Sequence, residues 1–333
     1  MGLLQETERD TGAALAAVTA GAIERAAADL RAHLPPTPLQ RSAAVSAEVG
    51  CEVHLKLESV QPTRSFKVRG ALTRLLRMRA EDRAAVITAS GGNHGLGVAY
   101  AARAFGVPCT VYVPEGANPF KVRAIERLGS RVVQFGHTYA EAHGEARRAM
   151  RTGGATFVHA YDDPDVVIGQ GTVAVELLEQ LPSVDTVLVP VGGGGLIAGI
   201  ARYLRERRPS VRVVGVEPAG ADALTRSLAA GRAVTLERVD TVADGLAASA
   251  PGGLALAIAR ECVDRMVTVE DSELLQAIRR YFEWERLLAE PAGAAALAAL
   301  LGHHAPEAGE RVVVLLSGAN VSDAALVRAL DGR

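Results

Sequence analysis

The sequence predicts an α/β protein of parallel sheets covered by helices, in about two domains. Three observations carry this. Short apolar runs alternate with helix-like runs along most of the chain, the pattern of parallel strands joined by crossover helices. Two glycine-rich stretches each fall between such a strand and such a helix, where α/β sheets bind ligands. The chain has 333 residues, enough for roughly two domains of ordinary size.

Composition narrows the function classes. Hydrophobic residues make up 49% and charged residues 22%, as in a soluble globular protein with an ample core. The net charge of -2 suggests neither a nucleic acid nor a membrane surface as partner. Cys51, Cys109 and Cys262 show no paired or metal-type spacing, which fits a reducing compartment rather than a disulfide scaffold. Residues 1–10 carry three acidic residues and one arginine, unlike a signal peptide. No apolar run reaches the length of a membrane span. The expected location is cytoplasmic.

The elements follow in order. Residues 12–34 predict a helix, Ala-rich with Ile23, Leu30 and Leu34 near helical spacing. Pro35-Pro36-Thr37-Pro38 ends it, because proline breaks helices. Residues 53–57 alternate as a strand, and a helix-like run covers 71–78. From there strands at 84–88, 108–113, 131–135, 157–159, 186–191 and 211–216 alternate with helices. Those helices cover 95–105, 119–128, 139–150, 171–179 and 196–206. Helices at 254–260, 270–288 and 291–301 precede a last buried strand at 311–316. Composition marks no linker, so one domain is free to be inserted in the other.

The chemistry centres on Gln61-Pro62-Thr63-Arg64-Ser65-Phe66-Lys67-Val68-Arg69-Gly70. Lys67 stands between a phenylalanine and a valine. Desolvation disfavours the ammonium form, and a neutral lysine amine is suited to Schiff-base chemistry. A solvated lysine at a helix start is the plainer reading; the two glycine stretches weigh against it.

The first is Thr88-Ala89-Ser90-Gly91-Gly92-Asn93-His94-Gly95, before a helix. Backbone N–H groups at a helix start can hold a carboxylate or phosphate, and Asn93 offers donors and an acceptor to a ligand. Ser90 and Asn93 also fit simple capping, and His94 fits a structural histidine better than an acid–base group. The second is Gly192-Gly193-Gly194-Gly195, between a buried strand and a helix. Four glycines in a row are entropically costly, and close approach of a phosphate is the usual reason. A dinucleotide is the alternative ligand. The Gly193-x-Gly195-x-x-Ala198 register is a relaxed match to that fingerprint, and Glu217 mimics its acidic residue. A nicotinamide-dependent oxidoreductase is therefore the runner-up, but it leaves Lys67 unexplained. No phosphate-loop, zinc or nucleophile-elbow motif is present.

Taken together, Ser65-Phe66-Lys67, Ser90-Gly91-Gly92-Asn93-His94-Gly95, Gly192 to Gly195 and Ser317-Gly318-Ala319-Asn320 resemble the marker motifs of fold-type II pyridoxal-phosphate enzymes. The serine/threonine dehydratase (threonine ammonia-lyase) branch is the most similar. Subsidiary matches are His159 to Pro164, Gly169-Gln170-Gly171-Thr172, Ala243-Asp244-Gly245 and Glu290-Pro291-Ala292-Gly293. The resemblance runs from about Thr37 to Asp323.

It implies a tryptophan-synthase-β-like fold of two open, mainly parallel twisted sheets with flanking helices. The large domain would take residues 1–59 and 162–333, and a small inserted domain residues 60–161, with the site between them. It implies that Lys67 forms a Schiff base with pyridoxal 5'-phosphate and later moves the α-proton. Phe66 would pack on the pyridine ring, Asn93 bond its 3'-oxygen, and Gly192, Gly193, Gly194 and Gly195 cradle the phosphate. Ser317 would face the ring nitrogen, and Ser90, Gly91, Asn93 and His94 would receive the substrate carboxylate. The implied reaction removes water from a β-hydroxy amino acid, giving a 2-keto acid and ammonia, in a homodimer. Tyr161 and the residues around Asp244 are candidates to touch the substrate side chain.

Some positions depart from the pattern. Arg64 stands where many relatives carry glycine. In serine racemases of the family, the position of Gly91 resembles an acid–base serine. Glycine has no proton to give, so dehydration should exceed racemisation. Relatives with a divalent cation hold it with a glutamate, a carbonyl and an aspartate. Glu217 and Ala221 fit the first two, but Ala223 replaces the aspartate, so no metal is assigned. The end at Arg333 leaves no expected regulatory domain.

Overall fold

The computed structural model describes residues 12–331, apart from residues 118 and 308. Its strands are β1 (Leu39–Arg41), β2 (Glu52–Leu57), β3 (Val86–Ala89), β4 (Cys109–Val113), β5 (Arg131–Gln134), β6 (Thr156–Phe157), β7 (Thr186–Pro190), β8 (Arg212–Pro218), β9 (Arg265–Val269) and β10 (Arg311–Leu316). They form two sheets. The larger has the order β1-β2-β10-β7-β8-β9 and the smaller β5-β4-β3-β6. Every neighbouring pair is parallel except β1 with β2.

The helices are α1 (Ala20–Leu30), α2 (Ala43–Val49), α3 (Lys67–Arg77), α4 (Asn93–Phe105), α5 (Pro119–Arg127), α6 (Tyr139–Gly153), α7 (Pro164–Gln180), α8 (Gly195–Arg207), α9 (Ala223–Ala230), α10 (Gly253–Cys262), α11 (Asp271–Arg280), α12 (Pro291–Gly302) and α13 (Asp323–Asp331). No helix among the described residues is long and apolar enough to cross a membrane.

The large sheet is covered on both faces, which is why its central strands read as unbroken apolar runs. Successive strand residues point to opposite faces. Val187, Val189, Val313 and Leu315 join the core under α1, α7, α8 and α10. Leu188, Val312, Val314 and Leu316 join the core under α11 and α12. Helix α12 is buried along nearly its whole length, so its alanines allow close seating on the sheet. The small sheet packs β3 and β4 against α3, α4 and α5. Helices α7 and α8 cross closely at Gly171 and Gly199, where a Cβ on Gly199 would lie 2.3 Å from the Val167 carbonyl.

Several boundaries differ from expectation. The helix expected over 12–34 is interrupted at Val18 and Thr19. The Thr19 hydroxyl accepts from Ala22 N–H and starts α1 afresh. Helix α3 begins at Lys67, earlier than expected, and α7 begins at Pro164. Asp163 caps α7, accepting from Asp165 and Val166 N–H, with proline at the first helical position. The helix expected over 270–288 ends as α11 and continues as one wide turn, Tyr281–Glu285. Elements β1, α2, β9, α9 and α13 carried no sequence expectation; the two strands lie at the sheet's edges.

Candidate active site

Lys67 opens α3, and the tip of β10 fixes where that helix starts. Phe66 N–H donates to the Ser317 carbonyl at 3.1 Å, and Ala319 N–H to the Arg64 carbonyl at 2.9 Å. Ser65 pairs with Gly318 between them. Arg64 has φ 58°, a region that glycine enters without steric cost. That accounts for the glycine in the family pattern.

The Lys67 amine donates to the Ala160 carbonyl at 2.9 Å and lies 5.2 Å from the centre of the Phe66 ring. Burial lowers its pKa to about 8. Two residues on, the buried Arg69 guanidinium pairs with both Glu58 oxygens (2.7 and 2.8 Å) and both Glu176 oxygens (2.7 and 2.9 Å). Lys56 adds a 2.7 Å bond to Glu176. Two cations thus face two carboxylates inside the protein, and the set anchors α3 by its first turns.

The glycine stretch lies between β7 and α8, with Gly194 capping α8 at φ 88°. Protein atoms leave no space for side chains here. A Cβ on Gly193 would sit 2.3 Å from the Tyr161 ring, on Gly194 2.7 Å from Ala255 Cβ, and on Gly192 3.0 Å from Leu246 Cα. These glycines are therefore required by the packing of the loop itself. Among the described residues, the N–H groups of Gly192 to Gly195 donate to no acceptor. Bare N–H groups at a helix N-terminus suit a phosphate.

Asn93 and His94 begin α4. Asn93 Nδ2 donates to Glu290 Oε1 at 2.5 Å, and Asn93 Oδ1 accepts from Asn320 Nδ2 at 2.6 Å. The Ser90 hydroxyl accepts from Gly92 N–H at 3.2 Å. His94 Nε2 lies 3.1 Å from the Val158 carbonyl and so carries the proton. Its Nδ1 is buried without a partner among the described residues. Burial first, and then the charge of Lys67, lowers its pKa to about 3. His94 is therefore neutral and committed to backbone. A Cβ at Gly91 would meet only Ala117 and Val113, at 3.5 Å or more. The Ser317 hydroxyl is buried, with one long 3.5 Å contact to the Ala292 carbonyl, and so keeps capacity for a ligand.

Sequence reasoning gave no role to Glu290 or Asn320, although both lie in matched motifs. The structure bonds both to Asn93. It also places Tyr161 against the glycine stretch, and pairs Lys121 with Asp244 at 2.5 Å.

Pyridoxal phosphate fits this set of groups: a part-buried lysine amine, a bare N–H cup, and unpartnered buried oxygen and nitrogen atoms on Glu290 and His94. A dinucleotide fits less well. Glu217 is fully buried, and its oxygens accept from Leu224 N–H, Thr225 N–H and the Thr225 hydroxyl at 2.6 to 2.9 Å. It has nothing to offer a ribose. Asp222 turns instead to Arg226, and no group of three metal-ligating side chains is found among the described residues.

The sequence pattern of the family described as pyridoxal-phosphate dependent enzyme matches residues 30–318. The chain belongs to that family. It is 44% identical over 300 residues to an L-threonine ammonia-lyase of Geobacter sulfurreducens, covering 90% of this chain and 75% of that one. Among solved structures it is similar to maize serine racemase, with TM-score 0.89 and 32% identity, covering 95% of this chain and 97% of that one. It is also similar to the processed threonine deaminase isoform 2 of Solanum lycopersicum, with TM-score 0.88 and 34% identity, covering 93% and 88%. The two-sheet architecture is that of fold-type II pyridoxal-phosphate enzymes.

Proposed function

We propose that this family member is an ammonia-lyase that eliminates water from L-threonine, L-serine or a related β-hydroxy amino acid, yielding a 2-keto acid and ammonia. The observation that carries the reading is the placement of the Lys67 amine. It is part-buried, shifted toward its neutral form, and, among the described residues, hydrogen-bonded to a backbone carbonyl rather than to a carboxylate. The similarity to L-threonine ammonia-lyase supports the substrate class.

Pyridoxal phosphate, when bound, supplies an electron sink that makes an amino acid's α-proton acidic. The protein's own groups do the rest. The N–H groups of Gly192 to Gly195 would hold the phosphate, and the Phe66 ring would pack against the pyridine. Asn93 keeps one Nδ2 hydrogen for the ring oxygen, its other groups being held by Glu290 and Asn320. Ser317 would offer the ring nitrogen a hydroxyl. It supplies no negative charge to keep a proton there, which suits rapid loss of a β-leaving group. The loop from Ser90 to His94 receives the substrate carboxylate at the start of α4. Lys67, whose depressed pKa raises its neutral fraction, takes the α-proton. Gly91 brings no acid–base group to the opposite face, which favours elimination over racemisation.

The test is 2-keto-acid release from the stereoisomers of serine, threonine, 3-hydroxyaspartate and phenylserine. Strong release from L-threonine or L-serine is expected. Silence across the panel, in protein that carries a borohydride-sensitive visible band, would overturn the lyase reading and leave the cofactor assignment standing.

A further inference from the structure

Glu290 is a buried acid that neither the motif reading nor the proposed reaction uses. It is 2% exposed and precedes α12. Oε1 accepts from Asn93 Nδ2 at 2.5 Å. Oε2 is buried with no partner among the described residues. Oε1 lies close against Gly318, where an added Cβ would come within 2.0 Å of it. Asn320 holds the far side of the same amide and bonds the Thr63 carbonyl at 2.9 Å. The chain Glu290–Asn93–Asn320–Thr63 thus fixes which end of the Asn93 amide donates, and leaves one Nδ2 hydrogen for a ligand.

Among the described residues no cation forms an ion pair or hydrogen bond with Glu290. The charged groups acting on it are Asp244, which is repulsive, and Lys121, which is attractive but paired with Asp244. Gly318 and Ser65 bring no charge from the β10 side. A bare carboxylate charge in such a place is costly, and the neutral carboxyl costs less. Burial first, and then Asp244, raises its pKa to about 7.

We propose that Glu290 is a positioning residue of the cofactor site, acting through Asn93 and carrying a proton on its unpartnered oxygen in the working enzyme. Losing that proton puts a negative charge one hydrogen bond from the amide that addresses the cofactor ring. The ring's electronic state then follows Glu290. The inference rests on the proposed place of Asn93 beside the ring, not on which amino acid is consumed.

The experiment is visible absorbance of the holoenzyme from pH 5.5 to 9, for wild type, Glu290→Gln and Glu290→Ala. Glutamine keeps an acceptor for Asn93 but cannot titrate; alanine removes the acceptor. Wild type is expected to show a spectral titration near pH 7, and Glu290→Gln to lose it while retaining cofactor. Glu290→Ala is expected to bind cofactor about tenfold more weakly, the worth of one hydrogen bond. A wild-type titration persisting in Glu290→Gln overturns the proposal, even if the alanine variant does not fold. Wild-type spectrum and affinity in a folded Glu290→Ala also overturn it. The readout needs no turnover, so it stands apart from failure of the lyase reading.

Discussion

The side-chain amine of Lys67 donates to the backbone carbonyl of Ala160, at 2.9 Å and across 93 residues of chain. The whole small sheet, from β3 to β6, lies between these two residues. A carbonyl satisfies the amine without adding a negative charge, so no opposite charge offsets the cost of desolvating an ammonium there.

Lys67 should therefore capture cofactor readily at neutral pH. At a pKa of about 8, roughly one amine in ten is neutral at pH 7, against about one in three thousand at the ordinary value. The rate at which apoprotein gains its visible band should rise with pH and level off above about 8. A rise continuing past pH 10 would show an unperturbed lysine. Lys67→Ala should lose the band and at least about a thousandfold in turnover.

The Arg69 cluster should be a stability hot spot. Arg69→Met leaves Glu58 and part of Glu176 as buried carboxylates without their guanidinium. The expected loss is about 3–5 kcal/mol, read by urea unfolding. Adding Glu58→Gln should recover part of it. An unfolding midpoint unchanged by Arg69→Met would refute the role.

Gly193 and Gly91 should respond oppositely to a side chain. Gly193→Ala drives a methyl into the Tyr161 ring, at a cost of about 1–3 kcal/mol, and should release cofactor on dialysis. A Cβ at Gly91 would make only ordinary van der Waals contacts, 3.5 Å or more from Ala117 and Val113, so Gly91→Ser should fold and hold cofactor like wild type. Its hydroxyl should raise L-to-D serine conversion, measured by chiral chromatography. No gain in D-serine would mean that Gly91 is not what restrains racemisation.

Glu217 should make the apoprotein less stable as pH rises. Burial raises its pKa to about 7 despite the bonds from Leu224 and Thr225. A carboxyl raised from 4.5 contributes stability that is full below that value and lost as pH climbs through 7. The loss is on the order of 2–3 kcal/mol. Glu217→Gln should remove this part of the decline between pH 5 and 8 in urea unfolding. Equal slopes in the two proteins would count against it.

Much of the fold was legible because parallel strands covered on both faces read as plain apolar runs. Residues 186–191 and 311–316 are of this kind, and both are strands. Short or half-exposed elements were not legible. In β9 only Val267 and Val269 are buried, and α2 fully buries only Val45. The break at Thr19 and the start at Asp163-Pro164 were written in capping residues, which periodicity alone passes over.

In the site, the sequence by itself determined the residue types at each strand-to-helix junction: a lysine beside a phenylalanine, an asparagine opening α4, and four glycines before α8. Those signals are local, because turn, cap and burial preferences act over a few neighbouring residues. Only the tertiary structure decided that Ala160 receives the Lys67 amine, that Tyr161 closes over Gly193, and that Glu290 and Asn320 grip Asn93. Glu290 and Asn320 lie 197 and 227 residues from Asn93 in the chain. Such contacts exist only once β10, α4 and α12 have packed, and no periodicity in the chain records where two distant loops will meet.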